Sequence, residues 1–288
     1  MKVLLTGASG FLGRHIAAAL GGAGHTVIPV SCRSGIDVRR MRTPQDWLAL
    51  LDGVDAVVNA VGIIGETRGQ SFALLHTQAP MALFDACLQA GVRRVVQISA
   101  LGADASACSA YHLSKRAADD GLRSLPLDWF VLRPSLVYGQ GGASAGAALR
   151  LAAWPRIPVI GRGDQMLQPV HVSDVVATVL RSLTATEAGL TLDVVGPEAI
   201  SCADWLQRLR RAQGLAPARL LCVPYALALV LTALGRGITS MARPDNLRML
   251  QRGSTADVRP LERFLGRRPR AAEPGLLYTA TAPAGSTP

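Results

Sequence analysis

The sequence predicts an α/β fold: a doubly wound parallel sheet with a smaller C-terminal lobe on its substrate side. Three observations predict it. Short apolar runs alternate with helical stretches through the first half of the chain. The first run, Val3–Leu5, leads through a glycine-rich turn into a helix. A Tyr-x-x-x-Lys pair, Tyr111 and Lys115, follows a later run at helical spacing.

The elements follow in order. Lys2–Thr6 reads as the first strand, and Phe11 to about Leu20 as a helix that Gly21-Gly22 should stop. Thr26–Val30 is the second strand and Ile36–Val38 a short third. Thr43 is placed to cap a short helix over Asp46–Leu51, with Pro44 in its first turn. Asp55–Ala60 is the fourth strand. Gln70–Ala90 is a long helix that Pro80 should kink or split. Arg94–Ser99 is the fifth strand, Ala110–Arg123 a helix and Trp129–Leu132 the sixth strand. Beyond Arg133-Pro134 the pattern loosens. Gln140–Gly146 is a glycine-rich loop and Leu192–Val195 a strand. Ala147–Ala153, Val172–Leu183, Ala203–Ala212 and Pro224–Leu234 are helices. This divides the chain into a core over 1–139, a mixed lobe over 140–270 from which 170–196 returns to the core, and a loose tail over 271–288.

The glycine turn carries the first chemistry. Gly7, Gly10 and Gly13 form G-x-x-G-x-x-G between an apolar strand and a helix. Gly7 permits a tight turn, Gly10 lets backbone approach a pyrophosphate, and Gly13 lets the helix pack on the sheet. The helix N-terminus then offers free N–H groups to phosphate. This is the Rossmann pattern, and it predicts nicotinamide dinucleotide binding through Thr6, Gly7, Ser9, Gly10, Phe11, Leu12 and Gly13. No acidic residue follows the second strand, where the chain reads Ser31-Cys32-Arg33. Arg33, helped by Arg14, suits a 2′-phosphate, so NADP(H) is favoured over NAD(H). Lys115, four residues after Tyr111, can hold the cofactor ribose and lower the tyrosine's pKa, leaving Tyr111 to exchange the proton that accompanies hydride transfer.

With these pieces the sequence resembles the short-chain dehydrogenase/reductase superfamily, in its extended and atypical, epimerase/dehydratase-like branch. The matching stretches are TGASGFLG (6–13), Asp37, NAVG (59–62), GVRRVVQIS (91–99), YHLSK (111–115), LRPSLVYG (132–139) and VHVSDV (170–175). ISALGAD (98–104) is similar to the atypical group that includes the accessory NADH:ubiquinone oxidoreductase subunit with this fold. The resemblance implies that Asp37 and Val38 meet the adenine and that Ala60, Val61 and Gly62 line a ribose. It implies that Pro134 and Val137 border the nicotinamide, that Ser99 lies near the substrate carbonyl, and that His171 and Asp174 are structural. Three departures stand out. Ser99 is followed by Ala100 and Leu101, with Ser109 as a substitute hydroxyl. His76 stands where relatives carry an asparagine. The spacer from Ser99 to Tyr111 is short.

Composition narrows the alternatives. A 49% hydrophobic, 17% charged chain of 288 residues builds a large core. The net charge of +10 comes mostly from dispersed arginines, and 5% aromatics give no stacking platform, so nucleic acid is not expected as a partner. Five cysteines without a C-x-x-C pair and five unclustered histidines predict neither disulfides nor a metal. The N-terminus lacks a signal-peptide pattern, and a cytoplasmic protein is expected. The twelve-residue apolar run Val223–Leu234 is too short to span a bilayer and reads as a buried or surface-lying helix. Gly142-Ala143-Ser144-Ala145-Gly146 matches a nucleophile-elbow pattern, but no strand precedes it, and a mobile loop is expected there. Asp119-Asp120 reads as solvated charge, and the four tryptophans as core or lobe packing.

Two functions follow. One is an NADP(H)-dependent oxidoreductase or epimerase with Tyr111 as acid/base, Lys115 as its tuner and Ser99 as orienter. Its small-molecule substrate would be partly apolar or phosphorylated, given the apolar lobe and Arg150, Arg156 and Arg162. The other is a non-catalytic NADP(H)-binding scaffold for a peripheral membrane or respiratory assembly. Homodimer formation stays open.

Overall fold

The computed structural model describes residues 1–234, 244–273 and 275. It divides into two units, one of Met1–Pro134 with Val175–Asp193, the other of Ser135–Asp174 with the described residues from Val194 on.

The first unit begins β1 (Lys2–Thr6), α1 (Phe11–Gly22) and β2 (Thr26–Val30). It continues through α2 (Pro44–Leu48), β3 (Ala56–Asn59), α3 (Ala79–Ala90), β4 (Arg94–Ile98), α4 (Ala110–Arg123) and β5 (Asp128–Pro134). β6 (Val137–Tyr138), α5 (Ala143–Ala152), β7 (Arg156–Ile160), β8 (Met166–Leu167) and β9 (Val170–His171) follow. Then come α6 (Val172–Thr184), β10 (Leu190–Val194), β11 (Ile200–Ser201), α7 (Cys202–Ala212), β12 (Arg219–Val223), α8 (Tyr225–Leu234), α9 (Pro244–Arg252) and α10 (Arg259–Leu265).

The main sheet has six strands in the order β10-β5-β4-β3-β1-β2. The pairings β2–β1, β1–β3, β3–β4 and β4–β5 are parallel. The chain leaves β1 for β2 on one side and returns to β3 on the other. That reversal opens a crevice at the carboxyl ends of β1 and β3, the place where such sheets bind ligands. Helices cover the sheet, so its central strands are apolar over most of their length: Val3, Leu4, Leu5, Val57, Val58, Val95 and Val96 are all buried. Leu83, Phe84 and Trp47 pack on one face, and each such buried side chain contributes about 1.5–3 kcal/mol.

Several sequence expectations change. Ile36–Val38 is not a strand. Ser31 and Ser34 form a reciprocal capping box, Gly35 turns with φ +82°, and Asp37 caps a 3₁₀ turn over Val38–Arg40. Local side-chain bonds thus outcompete sheet pairing. The long helix changes pitch rather than splitting: it runs unbroken from Phe72 to Ala90, Ala73–Gln78 is a π-helical turn, and Pro80 follows that turn directly, where the altered hydrogen-bond pattern accommodates its missing N–H. The stretch 143–146 is the first turn of α5 rather than a mobile loop, with Gly142 at its N-cap, so Ser144 is not on a strand-to-helix elbow. β7, β12, α9 and α10 were not foreseen. Most of the expected loose tail lies outside the described residues.

In the second unit, Tyr138, Ile157, Val159, Trp205 and Leu209 form a core. His171 and Asp174 are buried there. Asp174 accepts from the Arg270 N–H at 2.9 Å and pairs with Arg267 at 2.7 Å, anchoring the segment after α10.

Candidate functional site

The loop between β1 and α1 is built by close backbone contacts. Gly7 has φ +67°, and a Cβ there would lie 2.6 Å from the Ala60 carbonyl oxygen. A Cβ on Gly13 would lie 2.1 Å from the Gly7 oxygen. The Gly10 N–H donates to the Gly7 carbonyl at 2.9 Å, which closes the turn. Gly10 is exposed, Ser9, Phe11 and Leu12 are half-buried, and no described side chain caps α1. The first turn of α1 therefore presents unclaimed N–H groups and the positive end of its dipole. A cradle that any Cβ would fill, beside an uncapped helix start, fits a dinucleotide pyrophosphate.

Around this cradle, Thr6 Oγ1 donates to Asn59 Oδ1, and Asn59 Nδ2 donates to Gln97 Oε1 at 2.7 Å. Ala60 and Val61 are half-buried and Gly62 exposed at the end of β3. Arg33 is exposed in the turn after β2, and Arg14 folds over the loop, donating to the Ser9 carbonyl at 2.7 Å. Val38 is buried in the core. Asp37 caps Arg39 N–H and pairs with the Arg39 guanidinium at 2.7 Å, which holds its carboxyl below the usual carboxylate range. Its oxygens are thus already shared with a neighbour. Pro134 is buried at the end of β5, where its carbonyl accepts from the Leu101 N–H at 2.9 Å. Val137 belongs to the second unit and pairs with Val170.

Helix α4 carries the Tyr111–Lys115 pair. Ser109 is its N-cap, accepting from the His112 N–H at 3.1 Å, so this hydroxyl serves the helix end. Tyr111, Lys115 and Asp119 repeat every four residues and share one helix face. Lys115 is buried, and its Nζ donates to the carbonyls of Val61 at 3.1 Å and Ile98 at 3.0 Å. This ammonium lies at the carboxyl ends of β3 and β4, and a Cβ on Gly62 would be 3.4 Å from it. Burial lowers its pKa to about 8, against the raising influence of Asp119. Tyr111 moves opposite to the sequence expectation. Burial, reinforced by the Asp119 charge, pushes its pKa up to about 12, so it is held as a neutral phenol.

Asp119 is fully buried, whereas Asp120 is exposed and pairs with Arg123 and Arg116. Successive helical residues diverge by about 100°, and the sequence reading of both as solvated is corrected for Asp119. Ser99 Oγ donates to Asp119 Oδ2. The Gln97 amide also favours the carboxylate, although neither Gln97 Nε2 nor Asp119 Oδ1 has a hydrogen bond of ordinary geometry. Burial nonetheless raises the Asp119 pKa to about 6. The Ser99 hydroxyl is therefore engaged within the protein, on the Lys115 side of the cluster.

His76 and Phe72 wall the tyrosine. Their rings stack at 5.2 Å, and both meet Tyr111 edge-on, at 5.4 and 5.8 Å. The Ile63 N–H donates to His76 Nε2 at 3.0 Å, so Nδ1 carries the proton toward Ser114 Oγ, also 3.0 Å away. Ser114 in turn donates to the Tyr111 carbonyl at 2.7 Å. The π-helical turn is what aims His76 here, a signal the sequence offered only as Pro80 and an unexpected histidine. Burial and the Lys115 charge press the His76 pKa down to about 2. A depressed folded pKa gives stability that is present above the unfolded value and lost as pH falls. Relative to His76→Asn, unfolding free energy should therefore fall by about 2 kcal/mol between pH 6.5 and 5. Urea titrations of both proteins check this, and parallel pH profiles would refute it. Asp119 titrates with the opposite sign in that range but is common to both proteins.

The comparisons with known proteins agree with this geometry. The chain is 28% identical over 207 residues to a ceramide reductase of Caulobacter vibrioides, covering 65% of this chain and 62% of that one. It is 27% identical over 210 residues to the mitochondrial NADH dehydrogenase [ubiquinone] 1 alpha subcomplex subunit 9 of Mus musculus, covering 66% and 55%. The chain thus spans less than two thirds of the length of these relatives. A UDP-glucuronic acid 4-epimerase from Bacillus cereus, solved with UDP-glucuronic acid and NAD, superposes with a TM-score of 0.72 over 96% of both chains at 18% identity, a likeness of fold. The model of the NAD dependent epimerase/dehydratase family matches residues 3–196, and the chain belongs to that family.

Proposed function

We propose that this protein is an NADP(H)-dependent oxidoreductase that reduces a carbonyl of a small, partly apolar or phosphorylated molecule. The observation that carries this reading is α4. It sets Tyr111 as a half-buried neutral phenol and Lys115 as a buried ammonium at the strand ends beside the glycine cradle. Thr6, Gly7, Ser9, Gly10, Phe11, Leu12 and Gly13 hold the pyrophosphate. Ala60, Val61, Gly62 and Lys115 hold the ribose nearest them, and Pro134 borders the nicotinamide. The bound dinucleotide supplies hydride. Tyr111, kept protonated by its raised pKa, donates the proton to the carbonyl oxygen. Ser99 acts through Asp119, holding the carboxylate that faces Lys115 and Tyr111. NADPH oxidation across a carbonyl and quinone panel tests the reading, and tight NADPH binding without turnover on any member would overturn it.

Arg33 sets cofactor choice in this proposal. Its exposed guanidinium follows β2, and no acid competes for a ribose hydroxyl at Ser31-Cys32. Arg33→Ala should weaken NADPH about tenfold or more while NADH changes little, because a charge-assisted phosphate contact contributes about 1.5–3 kcal/mol. Titration calorimetry with both nucleotides decides it, and equal losses would remove the NADP preference.

A second reading has its own observation. The Ser99 hydroxyl is given to Asp119 and Ser109 caps α4, which leaves neither predicted serine to polarise a substrate. A nucleotide-binding scaffold fits that, as does the similarity to a subunit of a respiratory enzyme. The homodimer and the cytoplasmic location remain expectations of the sequence.

A further inference from the structure

The second unit has an outer face that its own core does not use. β12 pairs in parallel with β7 in the register Arg219↔Arg156, Leu221↔Pro158 and Val223↔Ile160. Residues paired in register point to the same side of a sheet. The alternate residues Ile157 and Val159 point the other way and are buried in the core. The outer side therefore carries two adjacent arginines at one end and Pro158, Leu221, Val223 and Ile160 beyond them. Leu221 is 50% exposed.

Exposed apolar residues also flank both ends of the ribbon. Trp154, joined to Arg156 through Pro155, is 57% exposed. Its carbonyl is fixed by Arg210 Nη1 at 2.8 Å, so the backbone is held while the indole faces solvent. This corrects the expectation that every tryptophan packs inside. At the other end, Val223-Pro224 leads into α8. That helix has no charged residue and exposes Leu227 (49%) and Val230 (53%) on one face, while Ala228 is buried.

Two observations need a common explanation. Exposed apolar side chains concentrated on and beside one two-stranded ribbon mark an interaction surface. Arg156 and Arg219 stand side by side, an unfavourable pairing of like charges, and among the described residues neither has an acidic partner. We propose that this face of the second unit docks on an anionic lipid bilayer. Trp154, Leu221, Leu227 and Val230 enter the interface, and Arg156 and Arg219 meet lipid phosphates. A bilayer suits the ribbon because it asks for apolar depth and cations without a matched shape, and because the chain carries a net +10 charge. Among the described residues no helix is long and apolar enough to cross a membrane, so the contact lies in the interface plane. The proposal is independent of what the nucleotide site does.

Co-sedimentation of the full chain with vesicles tests it. The protein should bind phosphatidylcholine vesicles containing about one-third phosphatidylglycerol and not phosphatidylcholine alone, and should release at about 1 M salt. Binding should be accompanied by a blue shift in indole fluorescence that Trp154→Phe removes. One basic side chain at an anionic surface is worth about fivefold in binding, so Arg156→Gln/Arg219→Gln should weaken it about 25-fold. Leu221→Asp/Leu227→Asp should abolish it. Arg93→Gln/Arg211→Gln, with the same loss of charge on exposed arginines elsewhere, should retain most of it. No binding by the unaltered protein, no fluorescence shift, or equal losses in the two arginine pairs would overturn the proposal. So would a dimer in vesicle-free solution that Leu221→Asp/Leu227→Asp dissociates, since a second copy would then cover the face. The unaltered protein's binding and fluorescence do not depend on any variant folding.

Discussion

Tyr111→Phe is expected to reduce turnover by roughly 10²- to 10⁴-fold, the usual range for loss of a positioned acid or base. The substitution removes one hydroxyl and keeps the ring. The ring is what packs edge-on against Phe72, His76 and His112, so the helix face and the Lys115 contacts should persist. NADPH affinity should accordingly stay within about threefold, because Lys115 and the glycine cradle are untouched. A fall in turnover with unchanged affinity identifies an interaction made during proton transfer. Turnover equal to that of the unaltered protein would show that the phenol takes no part. Comparable losses of affinity would show instead that the tyrosine is a binding residue. Steady-state kinetics beside direct nucleotide titration separate these outcomes.

Gly13→Ala should be the most damaging single change in the nucleotide loop. The added methyl would lie 2.1 Å from the Gly7 oxygen and 2.8 Å from the Ala8 Cα. Both are backbone atoms, so no side chain can swing aside. The Gly7 turn is itself fixed against the Ala60 and Val61 backbone, at 2.6 and 2.9 Å from the position of its own absent Cβ. The clash must therefore displace either α1 or the loop. Overpacking of this kind costs about 1–3 kcal/mol, and more where backbone must move. A fall in Tm of several degrees and loss of measurable NADPH binding are expected. Gly21→Ala, in the last turn of the same helix with nothing near the new methyl, is the control and should bind normally. Unchanged nucleotide affinity in Gly13→Ala would contradict the assignment of the cradle.

Much of this protein was legible in the order of its residues. Strand–turn–helix succession, G-x-x-G-x-x-G and Tyr-x-x-x-Lys are local patterns, and local patterns are governed by periods of two and 3.6 residues and by the absence of a Cβ. They sufficed for the α/β fold, the position of the cradle and the shared face of Tyr111 and Lys115. One failure was local as well. Ile36–Val38 looked like a strand by composition, but Ser31, Ser34 and Asp37 bonded to their own backbone and turned the chain.

Other features depended on what each side chain meets across the fold. The sequence shows Asp119 beside Asp120, two equal carboxylates. Only packing buries one against Ser99 and Lys115 and leaves the other in water. A lysine at i+4 should depress a tyrosine's pKa, yet desolvation and the Asp119 charge prevail and raise it. Likewise no periodicity announces that Arg156 and Arg219 become neighbours, because β7 and β12 are joined by register across many residues of chain. Short-range geometry is written residue by residue. Burial, charge proximity and cross-strand pairing exist only once distant segments are brought together, and they decide which of the legible groups are neutral, which are ionised and which face outward.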